Sequence, residues 1–301
     1  MKPPDSGTVA RRAAAERLLA PLAVVPVTDR EFALFQDLMA RETGIVLGPR
    51  KRSLLQARLG RRLRALGLES FREYHEFLMH RDQDQAELAR FVGAITTHKT
   101  SFFREAHHFE YLGGPWAAAR SAAASRGGAR RLRLWSAGCS TGEEAYTLAM
   151  VLAKVGLVAP RWDTQILASD IDPSVLTQAT EGRYAEHQAA PIPPDLRRRY
   201  WQEEGGIVQA RFELRALIRV SRFNLAAPWE APQPFDVILC RNVLIYFDQQ
   251  AQDRILARLV RALEPGGLLM LGHAESAIGR VENVRPVGPT IYAKAAEEPR
   301  R

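Results

Sequence analysis

A chain of 301 residues with 46% hydrophobic and 25% charged residues reads as soluble and globular, with material for one large core or two ordinary ones. Its two cysteines, Cys139 and Cys240, stand apart without metal-ligand spacing, which argues against both a disulfide framework and a zinc site and fits a reducing cytoplasm. No run approaches membrane-spanning length, and residues 1–27 carry charge and proline where a secretory signal needs an apolar stretch, so they are expected to form a flexible tail.

The net charge of +8 is concentrated. Residues 43–68 hold Arg50, Lys51, Arg52, Arg58, Arg61, Arg62 and Arg64 and no acid, a strip that would draw in a negatively charged partner. The same stretch is helical by pattern. Thr28 with Glu31, and Ser70 with Glu73, have the spacing of capping boxes, in which a hydroxyl and a carboxylate satisfy free amides at a helix start. Phe32, Phe35, Leu38 and Met39 mark one apolar face ending near Gly44, and Leu55, Leu59, Leu63 and Leu66 a second ending near Gly67. Tyr74, Phe77 and Leu78, then Leu88, Phe91, Val92 and Ile95, continue the pattern. Residues 28–95 are therefore expected to be a helical domain, with 96–130 a joining segment and helix that contributes to a ligand site.

After SAAASRGGARR at 121–131 the pattern changes to strands alternating with helices. Strands are expected at 131–137, 164–170, 217–223, 235–240 and 268–272, with helices after the first, second and fourth. Such alternation predicts a mainly parallel sheet covered on both faces, with ligands bound beyond the C-terminal strand ends. Residues 183–216 interrupt it, and Gly205-Gly206 could turn a short antiparallel ribbon.

Three stretches carry chemistry. In WSAGCSTGEEAYTLAM, Gly138 and Gly142 allow a tight strand-to-helix turn with free amides beyond it. Asp170, ending the second strand, sits where an acid can hydrogen-bond a ribose diol. TTHKTSFFREAHHFEYL at 96–112 is rich in hydroxyls beside Arg104, and FDVILCRNVLIYFD at 235–248 ends a strand in Arg241-Asn242 with Tyr246 four residues on. A rival pattern is present: Gly138-Cys139-Ser140-Thr141-Gly142 spells the nucleophile elbow of an α/β-hydrolase-like esterase, with Asp236 or Asp248 and His273 as partners. The all-helical upstream region and the acids Glu143 and Glu144 beside the elbow weigh against that reading, since negative charge opposes an oxyanion.

Taken in order, TSFFRE, WSAGCSTGEEAYTLAM, ASDIDPSVL, FNL, FDVILCRNVLIYFD and GGLLMLGHAES resemble the CheR family of chemotaxis-receptor glutamate methyltransferases, and the likeness runs from about residue 28 to 294. The resemblance implies an α/β fold: a class I methyltransferase domain at 131–296 with a Rossmann-like doubly wound sheet, an N-terminal all-α domain, and a small antiparallel β subdomain at about 183–216. It implies S-adenosylmethionine as cofactor and S-adenosylhomocysteine as product. It also implies a pocket lined by His98, Thr100, Arg104, Glu143, Asp170, Asn224, Leu225, Arg241 and Asn242, with Glu143 facing the methionine ammonium and Asp170 the ribose. Arg104 and Tyr246 are the expected catalytic residues, orienting an acceptor carboxylate. His98 departs from the family, which usually has Asn there, and Cys139 stands where a small residue such as Ala is common.

The implied partners are the cytoplasmic methylation helices of chemoreceptors, docked on the basic strip. The short QEEGGIV turn argues against a tethering peptide, and the absence of aromatic stacking platforms argues against nucleic acid. A cofactor-binding sensor module with no receptor substrate is a third reading, opposed by the presence of Arg104 and Tyr246.

Overall fold

The computed structural model describes residues 26–231 and 233–295. Most of the tail expected at 1–27 lies outside the described residues. The chain begins with helices α1 (Asp29–Thr43), α2 (Arg52–Leu66), α3 (Phe71–His80) and α4 (Ala86–Ile95). Both predicted N-caps form: Thr28 Oγ1 accepts from Glu31 N while Glu31 Oε2 accepts from Thr28 N, and Ser70 Oγ accepts from Glu73 N. Each such cap contributes about 1 kcal/mol. Gly44 and Gly67 end α1 and α2 in left-handed conformation, as the sequence led one to expect.

These helices close on their own apolar cluster, which includes Phe35, Leu38, Leu55, Leu59, Tyr74 and Phe91. Phe35 is the centre, touching Phe71, Tyr74 and Phe91 with ring centroids 5.6–6.3 Å apart. Glu87, 3% exposed, is held by Arg62 through two hydrogen bonds and by Tyr74 Oη at 2.9 Å.

The segment between the two parts holds α5 (His107–Tyr111) and α6 (Ala117–Ser125), joined through a kinked turn at Gly114-Pro115. SAAAS, read as the start of a boundary, is the end of α6, because consecutive alanines favour helix and Ala124 finds a buried seat. Then follow β1 (Arg131–Ala137), α7 (Glu143–Lys154), β2 (Asp163–Asp170), α8 (Pro173–Glu181) and β3 (Arg183–Ala185). Short helices α9 (Glu186–Ala189) and α10 (Pro194–Tyr200) lead to β4 (Trp201–Glu204), β5 (Ile207–Ala210) and α11 (Phe212–Arg215). The chain ends with β6 (Ile218–Arg222), β7 (Phe235–Cys240), α12 (Gln249–Arg261), β8 (Leu263–Leu271), β9 (Val284–Gly288) and β10 (Ile291–Lys294).

The main sheet runs β6-β2-β1-β7-β8-β10-β9. Its first five strands are mutually parallel, while β10 pairs antiparallel with both β8 and β9. A second sheet, β3-β5-β4, is antiparallel and turns at Gly205-Gly206 as predicted. Burial follows the period of two: Leu132 and Leu134 of β1 face α7, whereas Trp135 and Ala137 face α12. The doubly wound sheet with an all-α domain and a small antiparallel sheet matches the expected fold.

Cys139 and Cys240 are both free and buried, one in each of these two clusters. Burial pushes both thiols well above their ordinary value.

Among the described residues, no helix is long and apolar enough to cross a membrane.

Candidate functional site

The strand order reverses at β1, whose neighbours β2 and β7 are followed by helices on opposite faces, and a crevice opens at their C-terminal ends. A cavity of about 280 Å³ lies there. Its wall takes in residues from the ends of all three strands and, across the gap, Thr43, Ile45, Val46, Leu47 and Ile95 of the helical domain and 96–101 of the joining segment.

Two backbone clips hold the halves together. Ile45 forms an antiparallel bridge with Phe247, and Val46 N donates to Tyr246 O at 3.0 Å. Asn224 Nδ2 donates to Glu42 O at 3.0 Å, and Gly44 approaches so closely that a Cβ there would stand 2.6 Å from Ala226 Cβ.

Of the expected site residues, His98, Thr100, Arg104 and Asp170 all line this cavity. So do Asn224, Leu225, Arg241, Asn242 and Tyr246. Glu143 does not: it is 2% exposed and accepts from Thr141 Oγ1 at 2.6 Å, while its neighbour Glu144 takes the place on the wall. Two adjacent acids at a helix start point about 100° apart, and only one can face the crevice. Burial raises both carboxyls above the usual range, opposed at Glu144 by the Arg241 charge and the Ser136 hydroxyl.

Asp170 anchors the glycine turn, its Oδ2 accepting from Ser140 N at 2.9 Å and its Oδ1 from Asp172 N at 3.1 Å. Ser140 is held at φ 51°, and Phe103, Glu105 and Asn242 also adopt left-handed backbone at φ 54°, 55° and 60°. Four non-glycine residues in that region beside one crevice mark a backbone held in place by its surroundings.

Arg241, its side chain 3% exposed, is a second hub of the wall. It bonds Glu144 at 3.1 Å and Glu105 at 3.3 Å, donates to the Arg104 carbonyl, and lies over the Phe109 ring. It thereby fixes the loop from which the Arg104 side chain reaches the cavity. Arg104 Nη1 donates to Lys99 O at 2.9 Å. Burial raises the Tyr246 phenol, with the Arg104 charge and the Thr97 hydroxyl pulling the other way.

His98 Nε2 stands 2.7 Å from Thr96 Oγ1 and 3.0 Å from Asp172 Oδ2. Lys51 and Ile45 also line the cavity without having been singled out as site residues. No local signal marks them, because only the packing of the helical domain against the sheet brings them there.

The esterase constellation does not assemble. Ser140 Oγ donates to the His98 carbonyl at 3.2 Å, exposed His273 stacks on His107, and Asp248 caps α12. Asp236 is near the opposite end of the sheet, bound to Arg133 N and Arg120.

The basic strip also divides. Arg62 is committed to Glu87, Arg58 to the Ala94 and Thr96 carbonyls, and Arg52 to Asp29 and the Val27 carbonyl. Arg50, Arg61 and Arg64 are exposed.

Residues 98–292 match the family described as CheR methyltransferase, SAM binding domain, and residues 30–96 match CheR methyltransferase, all-alpha domain. The chain is 40% identical over 278 residues to a chemotaxis protein methyltransferase of Salmonella typhimurium, covering 90% of this chain and 92% of that one. It is 41% identical over 281 residues to the protein of the same description from Klebsiella aerogenes, covering 91% and 92%. For the one from Escherichia coli the figures are 40% over 273 residues, covering 89% and 91%.

Proposed function

The chain belongs to the CheR methyltransferase family, and from that premise we propose that it transfers the methyl group of S-adenosylmethionine to glutamate side chains on the methylation helices of chemoreceptors, leaving methyl esters and S-adenosylhomocysteine. The observation that carries the reading is one cavity lined by the carboxylates Asp170 and Glu144 together with Arg104 and Tyr246.

The wall suits the cofactor. Asp170 and Glu144 offer negative charge to a ligand bearing a sulfonium and an ammonium, Ile171, Phe223 and Leu225 offer apolar surface, and Arg104 and Lys51 can meet a carboxylate. Asp170 would hold the ribose diol. Glu144 takes the ammonium-facing role that the resemblance implies for Glu143. His98, Thr100, Asn224, Leu225, Arg241 and Asn242 would complete the pocket.

When bound, the cofactor would supply an electrophilic methyl carbon for the acceptor oxygen, with sulfur as the leaving atom that keeps the electron pair of the carbon–sulfur bond. A glutamate, with a reference pKa of about 4.3, is already ionised at neutral pH, so this chain needs no general base. Its task is positioning, which by intramolecular comparison can lower a barrier by about 7–11 kcal/mol. Arg104 orients the acceptor carboxylate through a charged hydrogen bond and Tyr246 through a neutral one. Arg104 is already bonded to Lys99 O, which tempers its grip on the nucleophile.

Calorimetric titration with S-adenosylhomocysteine, on the wild type and Asp170→Ala, tests the pocket. Micromolar binding that is lost in the variant supports it, and no binding by well-folded wild type overturns it. Labelled methyl transfer to a receptor cytoplasmic fragment tests the substrate; cofactor binding without transfer to any such fragment would favour the sensor module.

A further inference from the structure

We infer that Glu275, which lies outside the cavity wall, is a positioning residue that holds the turn presenting Asn242 and Tyr246 to the cofactor and acceptor. The inference rests on the methyl-transfer reading of the cavity.

Glu275 follows β8 and is 6% exposed. Its carboxylate accepts four backbone amides: Asn242 N at 2.8 Å and Gly272 N at 2.7 Å on Oε2, Val243 N at 2.9 Å and Leu244 N at 2.7 Å on Oε1. Three consecutive amides converging on one point form a nest that fits an anion, and here the chain supplies its own. The same turn carries the strained φ of Asn242 and leads straight into the helical turn Leu244–Tyr246.

The carboxylate therefore sets where Asn242 and Tyr246 sit, from behind, while the Val46 N bond to Tyr246 O holds the front. Glutamine at 275 would turn an N–H₂ toward donors already in place, and aspartate is one methylene short. Either change moves the turn without removing any group from the cavity.

The test compares Glu275→Gln and Glu275→Asp with Leu256→Ala, a core change on α12, all assayed below their melting temperatures. Gly272→Ala is a second probe, since a Cβ there would meet Asn242 Nδ2 at 2.5 Å and push the same turn while sparing Glu275.

Expected are a kcat at least tenfold lower for Glu275→Gln and Gly272→Ala, partial recovery in Glu275→Asp, and kcat within twofold of wild type for Leu256→Ala despite its lowered Tm. A purely structural carboxylate predicts lowered Tm with unchanged kcat and KM in every variant, and that result overturns the inference. Should Glu275→Gln fail to fold, Glu275→Asp decides: kcat lowered below its melting temperature supports the inference, and wild-type kcat overturns it. A wild type that neither binds S-adenosylhomocysteine nor methylates a receptor fragment sinks the functional reading instead.

Discussion

The Arg62 guanidinium grips the Glu87 carboxylate with two hydrogen bonds, 2.7 Å from Nε and 2.6 Å from Nη2, so an arginine read from the sequence as part of a docking strip is a structural member of the helical domain. Its removal strands a buried carboxylate on Tyr74 and Arg90 alone. Such a loss costs about 3–5 kcal/mol when both partners are buried, and about 2–3 kcal/mol here because Arg62 keeps a quarter of its surface in water. Urea denaturation of Arg62→Ala should show that fall, while exposed Arg61→Ala stays within about 0.5 kcal/mol of wild type.

Docking charge should reside in the arginines that the fold leaves free. Glutamate at positions 50, 61 and 64 together should cut receptor methylation severalfold at low salt, less at high salt, and leave S-adenosylhomocysteine affinity intact. Methylation that ignores both the substitutions and the salt would place the receptor elsewhere.

His98 and Asp172 predict a pH dependence. Burial opposes a charged imidazole, yet the Asp172 hydrogen bond and the Asp170 charge outweigh it and raise His98. For Asp172, burial acts upward, but the His98 and Ser174 hydrogen bonds prevail and lower it. The raised His98 contributes stability that is complete below the unfolded value of about 6.5 and disappears as pH climbs through its folded value. Asp172 contributes above the unfolded value of about 3.9 and loses this as pH falls. Thermal melts should show the wild type losing Tm more steeply than His98→Asn as pH rises above the unfolded value of about 6.5. Parallel slopes would mean that the imidazole is not charged in the fold.

A buried histidine acts in the opposite sense. His108, with Nε2 bonded to Thr290 Oγ1 at 2.9 Å and Nδ1 lacking a hydrogen bond, is lowered to about 3 chiefly by burial, with Arg241 adding repulsion. Below about pH 6.5 the unfolded chain takes up a proton that the fold refuses, so stability drops toward acid by up to about 1.4 kcal/mol per pH unit. Denaturant titrations of His108→Gln between pH 6.5 and 4 should show a shallower fall than wild type.

Tyr246→Phe removes one neutral hydrogen bond to the acceptor in the proposed mechanism. About 1 kcal/mol lost in the transition state lowers kcat roughly fivefold. Affinity for S-adenosylhomocysteine, measured in parallel by calorimetry, should change less than twofold.

Local chemistry was legible in the sequence wherever one segment suffices to specify it. The caps at Thr28 and Ser70 and the glycine stops at Gly44 and Gly67 each depend on residues a few positions apart. β8 begins at Leu263 rather than 268 because its ladder to β7 carries an irregularity there, which no periodicity reveals. Strands β9 and β10 went unread because their pattern is short and β10 finds its partners in β8 on one side and β9 on the other. That Glu144 rather than Glu143 lines the cavity is a matter of helix phase. Arg62 and Arg58 look like any surface arginines until α4 supplies their acceptors, and Glu275 becomes meaningful only when amides some thirty positions upstream close around it.

The clip between Ile45 and Phe247 has a bearing on biosynthesis. One side of the cavity leaves the ribosome some two hundred residues ahead of the other, and the carboxylate that steadies the second side comes later still. A chain cut short before residue 275 would carry every lining residue, Thr43 to Phe247, and yet lack the carboxylate that steadies the turn at 242–244. Full competence therefore waits for the last part of the chain to be made.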